Sequence, residues 1–346
     1  MYAPPGADDR PQTAFRAAEK KYKLTLTEQF RTGANGRRRG GRFEAAPVDL
    51  SEVLDVSARD ALPQGVTCVS GDANATSKVY AFDGHPGFYY VSRALDDEEQ
   101  RLWVRKSVRE LCEPPARTNY GAELGDLPPG LWDAARDDLM LIPSGEGQRV
   151  WGTPTRVVKR GDADEKFFAK RMLSKLRWCT VGAPFNWTSR IYEPNVPRRA
   201  IGDDLVQLTR RIASLPPEPS WTFEAQAGLL NFYQPGDTLN AHVDDAERNL
   251  DRPIISISLG CCGIFLLGHE NRDAPPTAMM IRSGDAVILG GESRKCYHGV
   301  PRVFEADDGH FALPHALHAD TWDVDDAGMA QYIAHTRINI SIRDID

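Results

Sequence analysis

The sequence predicts an α+β protein whose C-terminal part is a β-sandwich or jelly roll. Two observations carry that prediction. From about residue 223 the chain breaks into eight short apolar or alternating runs separated by Gly, Pro and Asp. Short strands punctuated in this way are the mark of a two-sheet β fold, and double-sheet closure keeps their edges covered. Upstream of that point several stretches read as helices instead, so the two kinds of element are segregated along the chain.

The elements follow in order. Residues 1 to about 45 read as a tail, because GANGRRRGGRF combines structure-breaking glycines with arginines that resist burial. A short helix is expected near Thr13 to Tyr22. Phe88, Tyr89, Tyr90 and Val91 suit a strand. Asp96 to Leu111 reads as a helix with acidic residues in its first turn, where the helix dipole favours them. Residues 128–140 open on Pro-Pro and continue as a helix. DADEKFFAKRMLSKLRW is a basic amphipathic helix or turn ending at Trp178, APFNWTSRIYEPNVP is a loop, and residues 203–214 form another helix. The eight runs then follow as AQAGLLNFY, TLNAHVD, PIISISLG, GIFLLG, TAMMIR, DAVILGG, CYHGVP and TRINISI.

The chain has 346 residues and is 41% hydrophobic and 26% charged, which fits a folded globular protein rather than a disordered one. No apolar run approaches the roughly 20 residues of a membrane span, and no secretory signal opens the chain. An intracellular protein, monomeric and without a membrane partner, is expected. The six cysteines, Cys68, Cys112, Cys179, Cys261, Cys262 and Cys296, lack framework or C-x-x-C spacing and read as reduced thiols. Net charge is −7, yet residues 10–42 carry ten Lys/Arg against Glu19 and Glu28, and residues 156–177 carry eight against Asp162, Asp164 and Glu165. A basic binding face on an acidic protein is compatible with that asymmetry, although solvated surface is the usual fate of charge runs.

On a strand His242 and Asp244 face the same side. Alone, H-x-D is a weak signal. His298, beside a strand and followed by glycine, strengthens it, because two imidazoles and one carboxylate with open positions suit non-haem Fe(II). In the last run Ile338, Ile340 and Ile342 share one face, and Arg337, Asn339, Ser341 and Arg343 share the other. That polar face is either a wet side or an anion holder. Arginine is the bidentate, permanently charged partner a carboxylate needs. The two arginines are about 20 Å apart at roughly 3.3 Å per residue, so they can bracket a small dicarboxylate.

At this point NFYQPGDTLNAHVDD, RPIISISLGCCGIFLLG, SGDAVILGGESRKCYHGVPRV and RINISIR, in this order, resemble the AlkB family of Fe(II)/2-oxoglutarate-dependent dioxygenases. LRWCTVGAPFNW and HPGFYYV place the resemblance nearest the eukaryotic homologue-one branch. It covers residues 85–346. It implies a double-stranded β-helix (jelly-roll) core with flanking N-terminal helices and a nucleotide-recognition lid. The organisation it implies is a flexible basic region at 1–80, a helical and lid region at 81–222 and the catalytic core at 223–346, with 81–346 as one domain. By the same resemblance His242, Asp244 and His298 hold Fe(II), and Asn231, Tyr233, Arg337, Asn339 and Arg343 hold 2-oxoglutarate, with O2 as the second cosubstrate. Trp178 and Tyr192 are implied as base-binding residues, and Lys166, Lys170, Arg171 and Lys175 as phosphate contacts.

The implied activity is oxidative demethylation of N-methylated bases, N1-methyladenine in tRNA or N6-methyladenine in DNA, with unpaired targets costing least to flip. A protein-directed oxygenase on the same fold is the alternative, and a non-catalytic module is disfavoured by the intact triad. The chain departs from the bacterial members at Ala246, where they keep a carboxylate, so their base preference does not transfer. A further departure is an insertion between His298 and Arg337 with His310, His315 and His318, expected as a mobile acidic loop rather than a second metal site. GRRRGGR fits a nuclear signal or an RNA-contacting arm, and nuclear, cytoplasmic and mitochondrial locations all remain compatible.

Overall fold

The computed structural model describes residues 12–346 apart from 33–37, 58–60, 72–75, 156–157, 160, 187, 194–199, 219–220, 308 and 327. All eight runs form strands. With four upstream strands they make two antiparallel sheets. The strands are β1 (Val66–Ser70), β2 (Lys78–Phe82), β3 (Phe88–Ser92), β4 (Trp178–Gly182), β5 (Ala227–Tyr233), β6 (Leu239–His242), β7 (Ile254–Gly260), β8 (Gly263–Leu267), β9 (Thr277–Ile281), β10 (Ala286–Leu289), β11 (His298–Val303) and β12 (Arg337–Arg343). The major sheet has the order β1-β2-β3-β10-β7-β12-β5-β4, and the minor sheet β6-β11-β8-β9. The C-terminal strand β12 thus lies in the middle of the major sheet, paired to β7 and β5 along its whole length.

Alternation assigns each face of these strands its own neighbours. Ile255, Ile257, Leu259, Ile338, Ile340 and Ile342 point away from the minor sheet and pack with Trp103, Val104, Leu205, Leu208 and Ile212. Those partners come from α2 (Asp97–Lys106) and α3 (Asp203–Ala213). Helix α2 starts at a capping box in which Asp96 and Glu99 satisfy each other's backbone N–H groups. Between the sheets lies a second core, with Tyr90, Phe88 and Val287 facing Phe265, Met279 and Val300.

Two expectations about the flanks fail. Helix α1 (Ala14–Tyr22), expected within a flexible tail, docks on the outer face of the minor sheet. Phe15 and Tyr22 are buried there against Ile264, Leu266 and Met280. Glu19 also accepts the Ala241 N–H at 2.7 Å, next to His242. A helix with two aromatics on one face buries them wherever an apolar sheet face is uncovered. Strands β1 and β2 also begin before residue 80, so the described part of that region contributes elements to the fold. The backbone of Leu26–Thr32 and Arg38–Ala45 pairs as a hairpin. The arginines of residues 36–42, like Arg156 and Arg160, lie outside the described side chains.

The insertion after β11 is the second. It packs instead of extending as a loose loop: Leu317, Trp322, Met329 and Ile333 join the helical core. Asp326 sits between Arg105 and Arg109 of the α2 segment. The cause is apolar residues spaced among the acids, which the acidic composition obscures.

Candidate active site

His242 ends β6 and His298 begins β11, and the two are direct partners across that strand pair. Gly299 makes the approach feasible, since a Cβ there would fall 2.8 Å from the Leu239 carbonyl oxygen. The imidazole centroids are 4.3 Å apart. Asp244 follows β6 and faces both rings, with carboxylate oxygens 3.8 Å from His242 Nε2 and 3.9 Å from His298 Nε2. Those gaps are too long for direct hydrogen bonds. Each ring has its Nδ1 on a backbone carbonyl two residues back, Asn240 at 3.0 Å and Cys296 at 3.2 Å. The tautomer that satisfies those carbonyls carries hydrogen on Nδ1 and turns the Nε2 lone pair towards Asp244. Two imidazole nitrogens and a carboxylate oxygen thus converge on one point, a donor set that fits Fe(II).

The electrostatics agree. Burial pushes the Asp244 carboxyl up, but Arg343, His298 and His242 outweigh it and hold it far below the usual carboxylate range. Burial, with His242 beside it, brings His298 down to about 4, so the ring is neutral at ordinary pH. Burial also opposes the charge of Arg343, yet Asp244 more than compensates. Arg343 Nη2 donates to Asp244 Oδ2 at 2.9 Å.

These groups open into a cavity of about 700 Å³ lined by Asn231, Tyr233, Arg337, Asn339, Ser341 and Arg343 from the major sheet and His298 and Val300 from the minor one. Arg337 is 2% exposed. Its Nη2 donates to Ser258 Oγ at 2.9 Å, and its guanidinium lies 5.4 Å from the centre of the Tyr233 ring. Its Nε and Nη1 are buried without a hydrogen-bond partner. Among the described residues no carboxylate forms an ion pair with it, and burial depresses its pKa. A buried guanidinium with two idle donors is costly unless an anion joins it. A small dicarboxylate such as 2-oxoglutarate fits that demand. Asn339 lines the same cavity; its amide nitrogen donates to Ser256 Oγ at 2.8 Å and to the Ile257 carbonyl at 3.0 Å, which orients the side chain.

A short hairpin of Phe185–Asn186 and Ile191–Tyr192 contributes Phe185, Arg190 and Tyr192 to the cavity lining. Tyr192 lines the cavity beside Phe185, ring centroids 5.1 Å apart. Its hydroxyl donates to Glu247 Oε1 at 2.7 Å. Trp178 is half-buried at the start of β4, opposite Asn231. Trp178 is not among the residues that line the cavity, although Thr180 of the same strand is. Lys166, Lys170, Arg171 and Lys175 are exposed on and before the helix Ala169–Lys175, and Lys166 pairs with Glu123. His315, His318 and Asp320 also cluster on the insertion, all three exposed.

Sequence reasoning missed the residues beneath the triad. Glu247 and Arg294 form an ion pair at 2.6 Å with both side chains 1% exposed. Arg294 also donates to the Asp244 backbone carbonyl. Neither residue lies on a strand, so no period-two pattern flags them. Ser256 and Ser258 were findable, since they alternate with the isoleucines of β7.

The fold and this site define an iron- and 2-oxoglutarate-dependent oxygenase. The family model of the 2OG-Fe(II) oxygenase superfamily matches residues 150–343. The chain is 35% identical to the DNA N(6)-methyladenine demethylase ALKBH1A of Arabidopsis thaliana, over 98% of each chain. It is 30% identical to the nucleic acid dioxygenase ALKBH1 of Mus musculus, over 86% of this chain and 72% of that one. It is 28% identical to the tRNA demethylase abh1 of Schizosaccharomyces pombe, over 96% and 95%. The chain belongs to the AlkB family of 2-oxoglutarate-dependent dioxygenases, in its ALKBH1 branch. No helix among the described residues is long and apolar enough to cross a membrane.

Proposed function

We propose that this enzyme removes methyl groups from N-methylated bases of nucleic acid, N1-methyladenine in tRNA or N6-methyladenine in DNA. His242, Asp244 and His298 hold Fe(II), and Asn231, Tyr233, Arg337, Asn339 and Arg343 hold 2-oxoglutarate. The observation that carries this reading is Arg337, buried with two unpartnered donors beside the triad. The names of the relatives, which pair this fold with nucleic-acid substrates, support the choice of substrate.

The residues divide the work. Arg337, fixed by Ser258, would take the distal carboxylate of the cosubstrate in a bidentate grip. Arg343 keeps Asp244 ionised and aimed. The Nδ1 contacts of both histidines hold their rings in the ligating tautomer. Phe185 and Tyr192 wall the cavity where a flipped base would stack. Trp178, Lys170, Arg171 and Lys175 would contact the strand outside the cavity. When bound, Fe(II) and 2-oxoglutarate supply the oxidising power that hydroxylates the N-methyl carbon with one oxygen atom of O2, the cosubstrate leaving as succinate and CO2 and the hydroxymethyl group as formaldehyde.

Nucleoside mass spectrometry tests this. Bulk tRNA and genomic DNA are incubated with the enzyme, Fe(II) and 2-oxoglutarate, beside Asp244→Ala. Loss of a methylated adenosine in one pool, absent with Asp244→Ala, is expected. Succinate formation with no nucleoside change in either pool would favour a protein-directed oxygenase.

A further inference from the structure

We propose that Glu247 is a positioning residue that ties the Tyr192 hairpin to the carboxylate of the metal site, so that closing the hairpin and aiming Asp244 are one event. The proposal rests on the reading of His242, Asp244 and His298 as metal ligands.

Glu247 lies three residues after Asp244, with its carboxylate 1% exposed. Oε2 takes Arg294 Nη2 at 2.6 Å. Oε1 takes the Tyr192 hydroxyl at 2.7 Å and lies 3.2 Å from Arg343 Nε. The same Arg343 donates through Nη2 to Asp244 Oδ2. Arg294 donates to the Asp244 main-chain carbonyl and, through Nε, to the Arg252 carbonyl at 3.2 Å. Glu247 therefore acts on Asp244 by two routes. One runs through Arg343 to the side chain, the other through Arg294 to the backbone.

The cluster holds two guanidiniums and two carboxylates, so it is neutral as a whole. Buried ion networks of this kind are stable only when every member is paired, and they respond as a unit. Tyr192 is the member that belongs to the hairpin. Its hydroxyl donates to an oxygen that Arg343 also faces. Lifting the hairpin removes that donor and leaves Arg343 to redistribute between Glu247 and Asp244. A second tie, Arg190 to Asp245, also joins the hairpin to the segment after Asp244, but its side chains are 64% and 51% exposed. An exposed ion pair transmits little. The part-buried Tyr192–Glu247 bond, whose acceptor carboxylate is 1% exposed, is the connection.

Hydrogen exchange of the hairpin amides, with and without Co(II) plus 2-oxoglutarate, reads the coupling without turnover. In the wild type, loading the site should slow exchange of the hairpin. In Tyr192→Phe, which leaves all four charges in place, that protection should shrink roughly tenfold, the worth of one hydrogen bond to a charged group. Co(II) affinity measured by calorimetry should weaken with it. Glu247→Ala, which leaves the Tyr192 hydroxyl without its acceptor, should lose at least as much protection as Tyr192→Phe, and Arg190→Ala should keep it. Equal metal-induced protection in Tyr192→Phe and wild type overturns the proposal. If wild type shows no Co(II) binding that His242→Ala removes, the metal reading itself fails and takes this proposal with it. If Co(II) binds but the hairpin is unaffected, only the coupling fails.

Discussion

Replacing Arg337 by methionine should move ligand binding and stability in opposite directions. The guanidinium is 2% exposed, with Ser258 Oγ as its hydrogen-bond partner and with Nε and Nη1 idle. Those idle donors are the ones a cosubstrate carboxylate would take. Each charge-assisted bond is worth about 1.5–3 kcal/mol, so losing two should cost about 3–6 kcal/mol of binding. That is roughly a hundredfold to a ten-thousandfold weaker affinity for 2-oxoglutarate. In the ligand-free protein the sign reverses. An unpaired buried charge is replaced by an apolar side chain of similar length, a change that is neutral or stabilising by about 1–4 kcal/mol. Calorimetry with 2-oxoglutarate under anaerobic Fe(II), paired with urea unfolding of the ligand-free protein, measures both. A less than fivefold loss of affinity would refute the role of Arg337, as would a parallel loss of stability and affinity.

Three further outcomes follow from the same geometry. Arg294→Met leaves Glu247 buried beside Arg343 without its main partner, so chemical denaturation should show a loss of about 3–5 kcal/mol, and a loss under about 1 kcal/mol would contradict the buried pairing. Gly299→Ala forces a methyl group against the Leu239 carbonyl, so it should cost about 1–3 kcal/mol and spread His242 from His298, seen as weaker Co(II) binding; undiminished Co(II) affinity speaks against that spacing. Burial, with His269 beside it, holds His85 down at about 4 against an ordinary 6.5. The folded protein therefore refuses a proton that the unfolded chain accepts, and stability present above pH 6.5 is lost as pH falls towards 4, by about 3 kcal/mol. Urea midpoints at pH 7.5 and 4.5 should converge less steeply in His85→Gln than in wild type, and equal slopes would remove His85 from the account.

The sequence by itself determined the strands, their faces and the candidate residues that the structure brings together. The period-two alternation of RINISIR placed three isoleucines against the helices and Arg337, Asn339, Ser341 and Arg343 towards the cavity, as the structure has them. H-x-D and the later His298 converge for the same reason, since alternation states which side a residue faces. It does not state what lies there. Tertiary structure alone decided that β12 runs between β7 and β5, that α1 covers the minor sheet, and that the acidic insertion is pinned through Leu317 and Asp326. It also decided that Glu247, Arg294, Arg343 and Tyr192 share one buried cluster. Those four are scattered over about half the chain and sit on loops, a turn and strand ends. Burial of charge is a property of the enclosing surface, and only the folded arrangement supplies the partners that make it stable.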